Sequence, residues 1–203
     1  MVSPAVIDQI DPNGLQLGGK RSEISVLFAD IRGFTTLSES TLPEKLVDIL
    51  NQYLAAAAEA ILSEGGTIDK FLGDAVMAWF NAPIPQSDHI MRSVRAGIAI
   101  RSSVEALHHN LPDEFRLSFG IGIHTGEALL GLVGTEKRMD YTAIGDCVNT
   151  AKRIQENANG NSIYLSQAVY EVLSEKINVK PVESIWAKGK KDKIPVFELI
   201  GLK

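Results

Sequence analysis

Two aspartates, Asp30 and Asp74, are the residues whose type and spacing best suit metal chemistry. Asp30 stands near the end of the apolar run 24–31, which is rich in β-forming residues and is closed by Gly33. This run predicts a buried strand that ends in a turn. A carboxylate in such a strand needs a partner, because an unpaired buried charge is costly. Taken alone, the run fits a turn-capping or salt-bridged aspartate as well as it fits a functional one.

A second segment puts Asp74 where it can meet Asp30. Residues 66–80 contain two apolar runs joined by Gly73 and Asp74, a two-residue hairpin signal with glycine first. If this hairpin lies beside the first strand, the two carboxylates converge at one edge of a sheet. Hard oxygen ligands without a cysteine or histidine cluster suit Mg²⁺ that is held together with the phosphates of a substrate.

The composition indicates one globular domain. The chain has 203 residues, of which 45% are hydrophobic and 22% charged, with a formal net charge of −5. At this charge, a surface for general nucleic-acid binding is not expected. The single Cys147 excludes an internal disulfide and fits a reducing cytosol, so we expect a cytoplasmic location. No apolar run reaches the length of a membrane span, and the first residues lack a signal-peptide pattern.

The order of the predicted elements favours an α+β fold. Residues 1–21 contain several glycines and are interpreted as a linker or lead-in to a domain over 22–203. Apolar residues at helical spacing predict helices from about Pro43 to Ser63 and from about Asp88 to His109. Strands and a hairpin alternate with these helices. We therefore expect a ferredoxin-like βαββαβ core with additional C-terminal strands and helices, and a sheet covered by helices.

Residues 115–124 alternate cleanly between apolar and other residues, which predicts a strand. Its second face carries Gly120 and Gly122, and two glycines on one face imply close approach by another backbone or a ligand. Residues 128–134 are expected to return as the neighbouring strand. A loop is then expected to lead into a helix that begins near Asp146.

Five motifs in register make the chain resemble the catalytic domain of class III nucleotide cyclases, in particular prokaryotic adenylyl cyclases. The motifs are FADIRGFT, DKFLGDAVMAWF, GIGIHTGEALLGLVG, YTAIGDCVNTAKRIQ and KGK, and they cover roughly residues 22–200 in the family's order. Each motif alone is weak, whereas the set is specific. The resemblance implies conversion of a nucleoside triphosphate into a 3′,5′-cyclic nucleotide and pyrophosphate.

The resemblance also implies a two-metal site. Asp30 and Asp74 would bind two divalent cations, Mg²⁺ or Mn²⁺, and the backbone carbonyl of Ile31 would add a contact. One ion would activate the ribose 3′-hydroxyl and both would hold phosphate oxygens in an in-line displacement. The backbone N–H groups around Phe34 and Thr35 match the family's triphosphate-binding turn.

Further residues match those that handle the transition state and the phosphates in the family. Asn149 and Arg153 lie four residues apart and share a helix face, and they match the pair that orients the ribose and stabilises the α-phosphate charge. Lys188 matches a residue that holds the terminal phosphates. Many relatives have a basic residue at the position of Gly120, so Lys188 or Arg116 would have to supply that charge here, and the sequence leaves both open.

Lys70 and Thr142 match the residues that recognise the base. Lysine can only donate, for example to adenine N1, whereas the threonine hydroxyl can accept from the 6-amino group. Guanine presents the opposite pattern at this edge, so the Lys/Thr pair favours ATP over GTP. Threonine in place of aspartate resembles a prokaryotic subset that includes bicarbonate-responsive enzymes, and bicarbonate activation is therefore a hypothesis.

Family members of this type work as head-to-tail dimers with composite sites. One chain supplies the two aspartates, and the other supplies the lysine, threonine, asparagine and arginine. This sequence holds both sets, so the resemblance implies a homodimer with two equivalent sites. We also expect regulatory domains upstream in the full-length protein.

Three alternatives remain at this point. The first is a guanylyl cyclase, and the second is a polymerase-palm or diguanylate-cyclase relative, which the lack of a GGDEF-like run disfavours. The third is a nucleotide-sensing or dimerisation module without activity, although no expected site residue is missing. Taken singly, the polar site residues would be ordinary solvated side chains. The histidines are expected to be structural or exposed rather than metal ligands (His124 structural; His89, His108 and His109 on the surface).

Overall fold

The computed structural model describes residues 18–135, 138–186 and 193–203, which form an eight-stranded sheet and five α-helices. The strands are β1 (Gly18–Arg32), β2 (Thr67–Leu72), β3 (Ala75–Phe80), β4 (Ser118–Thr135), β5 (Arg138–Ile144), β6 (Ile163–Ser166), β7 (Ile177–Pro181) and β8 (Val196–Leu202). The helices are α1 (Phe34–Ser40), α2 (Pro43–Ser63), α3 (His89–His108), α4 (Asp146–Glu156) and α5 (Gln167–Leu173). None of these helices is long and apolar enough to cross a membrane.

The sheet contains the predicted ferredoxin-like core. Its strand order is β2-β3-β1-β4-β6-β8-β7, with β5 paired to β4 outside this path. The pairs β1–β3, β1–β4 and β2–β3 are antiparallel, so β1, α2, β2, β3, α3 and β4 make the βαββαβ unit. The strands β6, β7 and β8 extend the sheet beyond β4, as the prediction of additional C-terminal strands required.

β1 is buried on both faces, and its side chains alternate between two hydrophobic clusters. One cluster lies under α2 and α3 and takes every second apolar residue of β1 (Leu27, Ala29 and Ile31). The other lies under α4 and takes the intervening residues (Ile24, Val26 and Phe28). Asp30 continues the second series, so its side chain emerges on the α4 face of the sheet at the end of the strand.

Local signals in the sequence determine the ends of α2. The helix begins at Pro43, where a missing backbone N–H costs no hydrogen bond. It is followed by Gly65, whose φ of 73° is left-handed, and Gly66, whose N–H donates to the Ile61 carbonyl at 2.9 Å. Both ends of α2 agree with the prediction. The prediction for α3 was one residue too long at each end.

The start of the domain differs from the prediction. β1 begins at Gly18, and residues 18–21 of the expected lead-in pair with β4, Gly18 with Leu132 and Arg21 with Leu129. The rest of that lead-in lies outside the described residues.

The expected strand return after residue 124 was wrong. Residues 128–134 continue β4, because Thr125 and Gly126 keep extended pairing with Ser25 and Ile24 instead of forming a turn. The expected loop after them contains β5, in which Thr142 pairs with Gly131. A glycine in a strand does not by itself specify a turn, and here β1 is long enough to hold β4 extended.

Two of the histidines predicted to be exposed are not. His89 is 8% exposed, and its Nδ1 lies 2.8 Å from the Ser25 hydroxyl. The Nε2 of His108 lies 2.7 Å from the Leu117 carbonyl. Burial of an imidazole is compatible with folding when its ring nitrogens have partners. His109 is exposed as expected, and the Nδ1 of His124 lies 2.8 Å from the Ser166 hydroxyl.

Candidate active site

The hairpin between β2 and β3 brings Asp74 to the end of β1. Gly73 has a φ of 66°, which glycine adopts without strain, and Asp74 follows it directly before β3. Asp30 pairs with Ala75, the residue next to Asp74. In addition, the Ile31 N–H donates to the backbone carbonyl of Asp74 at 3.2 Å. The convergence predicted for Asp30, Ile31 and Asp74 is therefore present, and backbone bonds hold it.

The two carboxylates are close enough to affect each other. Burial raises the pKa of Asp74, and the negative charge of Asp30 raises it further, whereas Lys152 and Arg32 act in the opposite direction. Within the described part of the chain, no third histidine, cysteine, aspartate or glutamate joins the pair. The donor set is thus two carboxylates beside a backbone, which fits a hard cation such as Mg²⁺ or Mn²⁺ that completes its coordination with phosphate and water.

Arg32 fills the space that a side chain at position 120 would need. Its Nη1 donates to Asp30 Oδ2 at 3.2 Å, and its Nη2 donates to the Gln155 carbonyl of α4. A Cβ added to Gly120 would lie 2.5 Å from Arg32 Nε and 2.7 Å from the Ala158 carbonyl oxygen. Arg32 therefore brings a positive charge to the place where the family often has a basic residue on β4. Arg32 was not predicted as a site residue, although it belongs to the FADIRGFT motif itself.

Arg116, one of the two residues first considered for that charge, has its partners elsewhere. Arg116 forms an ion pair with Asp113 and donates from Nε to the Leu111 carbonyl at 3.0 Å, before β4 begins. Lys188 lies outside the described residues.

Gly122 allows α4 to approach the sheet closely. A Cβ at this position would overlap the backbone of Gln155, so the close approach predicted from the paired glycines is confirmed. The short distance brings Lys152 of α4 near Asp30 and Asp74, the end of the site that we call the metal end. There its Nζ lies 5.6 Å from the centroid of the Phe28 ring. Lys152 Nζ also donates to Gln155 Oε1 at 2.9 Å.

Lys70 and Thr142 are brought together by a residue that the sequence analysis did not consider. The Thr142 hydroxyl donates to Asp69 Oδ2 at 2.8 Å, and Lys70 Nζ lies 3.5 Å from the same oxygen. The Asp69 side chain is only 1% exposed, whereas that of Lys70 is 39% exposed. The one available signal was the position of Asp69 directly before Lys70 in the DKFLGD motif.

Asn149 and Arg153 lie together on the outer face of α4. Asn149 is exposed, and Arg153 Nη1 is paired with Glu156 Oε2 of the same helix at 2.8 Å. The hydrogen bonds and ion pairs described for Arg153 do not include Asp30 or Asp74.

The turn after β1 leads directly into α1. Gly33 has a φ of 81° and precedes the helix, and the Leu37 N–H donates to its carbonyl at 3.1 Å. Phe34 and Thr35 are the first residues of α1, where backbone N–H groups lack an acceptor within the helix. The expected triphosphate-binding turn therefore lies three to five residues beyond Asp30.

Large apolar side chains are exposed on β2, β4 and β5. On β2 they are Phe71 (48%) and Leu72 (46%), and on β4 and β5 they are Leu129 (41%), Val133 (40%) and Ile144 (48%). We call these five residues the apolar rim. Leu129 and Ile144 are paired across β4 and β5, and exposed apolar residues that lie together are typical of a protein interface.

The fold and this arrangement define a nucleotide cyclase domain. Residues 19–201 match the model of the family described as "Adenylate and Guanylate cyclase catalytic domain", and the chain belongs to this family.

Some relatives of this chain are named adenylyl cyclases and others guanylyl cyclases. The protein named adenylate cyclase 1 of Rhizobium meliloti (strain 1021) is 36% identical over 189 residues, which cover 90% of this chain and 28% of the relative. The crystal structure of the adenylyl cyclase CyaB from P. aeruginosa superposes with a TM-score of 0.86 at 34% identity, covering 92% of this chain and 98% of that one. The guanylyl cyclase Cya2 has a TM-score of 0.85, also at 34% identity, with 92% and 96% covered.

The family and the fold predicted from the sequence are therefore confirmed. The chain spans less than half the length of the first curated relatives it matches: 28%, 8% and 40%.

Proposed function

We propose that this domain is an adenylyl cyclase that converts ATP into 3′,5′-cyclic AMP and pyrophosphate. The observation that carries the proposal is the convergence of Asp30 and Asp74 at one sheet edge, beside the backbone of Ile31. Like charges brought together in this way call for a cation, and two divalent ions, Mg²⁺ or Mn²⁺, would meet that need. When bound, these ions supply a more acidic 3′-hydroxyl and neutralise phosphate charge.

The protein groups position the substrate for an in-line displacement. The ribose 3′-oxygen loses its proton and attacks the α-phosphorus. The bond between the α-phosphorus and the oxygen that bridges it to the β-phosphate breaks, so that pyrophosphate leaves. Arg153 would place its planar donors on the charge that develops at the α-phosphate, and Asn149 would orient the ribose. Arg32, the amides of Phe34 and Thr35, and Lys188 would bind the β- and γ-phosphates.

Base recognition is assigned to Lys70 and Thr142. Lys70 donates to adenine N1, and the Thr142 hydroxyl accepts from the 6-amino group. Both side chains contact the same atom, Asp69 Oδ2, which supports a joint role. A guanylyl cyclase is the second candidate, because Cya2 is as similar in sequence as CyaB, 34% in each case.

The experiment that tests the proposal is turnover of ATP and GTP by the purified domain with Mg²⁺ and with Mn²⁺. We expect cyclic AMP as the main product, and loss of product when Asp30 or Asp74 is replaced by Asn. Preferential formation of cyclic GMP would favour the second candidate. No cyclic nucleotide from either substrate would leave the domain as a nucleotide-sensing module.

We further propose a homodimer with two composite sites. The proposal is supported by Asn149 and Arg153, which face outward on α4, and by the apolar rim on β2, β4 and β5. In such a dimer, Asp30 and Asp74 of one chain meet Lys70, Thr142 and α4 of the other.

Complementation checks the composite site. Asp30→Ala and Arg153→Ala chains should each be nearly inactive alone, because each lacks one half of every site. Mixing them should restore activity, since a heterodimer contains one intact site. Placing different affinity tags on the two chains and purifying through both tags in turn measures how much heterodimer forms. Inactive mixtures that contain heterodimers would contradict the arrangement.

Bicarbonate activation and upstream regulation are further parts of the proposal. The first rests on Thr142 alone and is tested by measuring turnover with and without bicarbonate at fixed pH; equal rates would contradict it. The second is supported by the greater length of relatives such as the Rhizobium protein, of which this chain covers 28%.

A further inference from the structure

Asp69 occupies an irregular position in the sheet. The pairing of β2 with β3 runs from Ile68 opposite Ala78 to Lys70 opposite Met77, so Asp69 is the extra residue of a β-bulge. Successive side chains of a regular strand point to opposite faces, and a bulge breaks this alternation. Asp69 and Lys70 can therefore act at the same place although they are neighbours in sequence.

The Asp69 carboxylate is held in a nearly closed environment. Its side chain is 1% exposed. Burial raises the pKa of Asp69, while the bond from Thr142 and the charge of Lys70 lower it. A buried carboxylate costs free energy that an apolar residue at the same position would avoid. A role in the site explains why an acidic residue stands here.

The direction of the Thr142 hydrogen bond limits what this hydroxyl can offer a ligand. A hydroxyl has one hydrogen and two lone pairs, whereas a carboxylate can only accept. The contact of 2.8 Å between Thr142 Oγ1 and Asp69 Oδ2 therefore uses the single hydrogen of Thr142. What remains on Thr142 is an acceptor. Adenine presents a donor at its 6-position, and guanine presents an acceptor there.

We infer that Asp69 is a positioning residue that determines base specificity: it fixes Thr142 as an acceptor and so selects a 6-aminopurine. The inference rests on the proposed function, because it assigns Thr142 to the base. Asp69 also holds the Lys70 ammonium 3.5 Å away, which leaves the other N–H groups of Lys70 to donate to the ring. The bulge, the buried carboxylate and the two contacts then form one recognition unit within a single chain.

The test compares Asp69→Asn with Asp140→Asn. Asn can turn its NH₂ group toward Thr142, which frees the threonine hydrogen to donate to guanine O6. We expect the ratio of kcat/KM for ATP to that for GTP to fall about tenfold in D69N, as for loss of one hydrogen bond to a charged group. Asp140 is an exposed residue of β5 whose charge also acts on Asp69. D140N removes an equal charge nearby and should keep the wild-type ratio.

A double-mutant cycle separates positioning from a general structural effect. If Asp69 acts through Thr142, then D69N should not change the ATP-to-GTP ratio further in a Thr142→Val background. The triphosphate of unsubstituted purine riboside lacks the 6-amino group. Its kcat/KM should be reduced less, relative to that of ATP, in D69N than in wild type. Additive effects of D69N and T142V on the ratio would overturn the inference. Thermal unfolding checks that D69N is folded, and Asp69→Ser replaces it if it is not.

Binding distinguishes failure of the inference from failure of the proposed function. The 3′-deoxy analogues of ATP and GTP cannot cyclise, so their dissociation constants report base preference even if the domain has no turnover. Cyclic AMP production with an unchanged ratio in folded D69N would overturn the inference alone. Preference of the wild-type domain for 3′-deoxy-GTP would overturn both.

Discussion

The candidate site has a metal end, with Asp30 and Asp74, and a base end, with Lys70 and Thr142. The two ends differ in whether the charged and polar groups find partners within a single chain. At the metal end, the negative charges of Asp30 and Asp74 repel each other, and the positive charges of Arg32 and Lys152 offset this repulsion in part. At the base end, Asp69 accepts from Thr142 and pairs with Lys70, so its polar groups find partners within the chain. The metal end thus favours the binding of cations, whereas the side-chain contacts of the base end are already formed without a ligand.

This difference follows from what holds each end in place. Backbone pairing of β1 with β3 fixes the positions of Asp30 and Asp74, and their carboxylates do not have to bond each other. Side-chain bonds hold the base end, across two strands that are distant in sequence. Substitutions at the metal end should therefore affect chemistry more than folding, and those at the base end should affect selectivity.

The largest effect is expected at the metal end. Asp30→Asn should reduce cyclic nucleotide formation by at least about 10²–10³-fold, as removal of an electrostatic catalytic group does. It should leave the free energy of unfolding nearly unchanged, because the lost repulsion with Asp74 offsets the lost ion pair with Arg32. Activity assays and urea unfolding measure the two quantities. Asp48→Asn, at an exposed carboxylate of α2, is the control.

A readout without turnover sharpens this prediction. Titration with Mn²⁺ in the presence of 3′-deoxy-ATP should show weaker metal binding in D30N than in D48N. Equal affinity in the two variants would mean that Asp30 is not a metal ligand.

The next effect is expected where α4 meets the sheet. Gly122→Ala should destabilise the domain by about 1–3 kcal/mol, because its Cβ would overlap the Gln155 backbone. Gly126 is the matched control on the same strand, since the nearest atom to a Cβ there is 3.6 Å away. G126A should be close to neutral. Chemical denaturation of both variants measures the difference, and equal stability of the two would contradict the close approach.

The Gly122 variant also tests the comparison between the two ends. Moving α4 outward shifts Lys152 and the partner of Arg32 at the metal end, but it touches neither Asp69 nor Thr142. In G122A, the KM for the metal–nucleotide complex should rise while the ATP-to-GTP ratio stays constant. A changed ratio would mean that the two ends are coupled through α4.

Arg32→Met should raise the KM for ATP about tenfold with a smaller change in kcat, as expected for loss of one charge-assisted contact to phosphate. Arg116→Met is the control, because Arg116 is engaged with Asp113 and Leu111 before β4. Steady-state kinetics of both variants decide which arginine supplies the charge. A higher KM in R116M with wild-type behaviour of R32M would reverse the assignment.

The sequence predicted the structure correctly where local signals agree with the pairing of the strands. The hairpin dipeptide at Gly73 and Asp74 and the proline at the start of α2 each predicted what the structure contains. The alternation of residues 115–124 predicted β4 correctly from Ser118 onward, whereas Phe115 ends a 3₁₀ turn before it. The motifs in register also identified the family. These signals are local, so a single segment carries each of them.

What the sequence could not predict depends on contacts between distant segments. β5 was expected to be a loop, because its strand character comes from pairing with β4 and not from its own residues. Asp69 was missed since its partner Thr142 is 73 positions away. Arg32 was missed because its place beside Gly120 requires the register of β1 against β4. His89 was expected on the surface, and only the fold reveals that Ser25 lies opposite it.

The smallest effect is expected at the base end and concerns pH. Burial raises the pKa of Asp69 above 3.8, so between that value and the folded-state pKa the native protein binds more protons than the unfolded chain. The carboxyl thus contributes stability below pH 3.8 that is lost as the pH rises through the folded-state pKa. Asp69→Asn cannot ionise, so the variant should keep this contribution. Compared with wild type, D69N should gain relative stability from pH 4 to pH 7, by no more than about 1–2 kcal/mol. Urea unfolding of both proteins across this range measures the difference, and a relative loss in D69N would mean that the contacts with Thr142 and Lys70 outweigh the cost of burial.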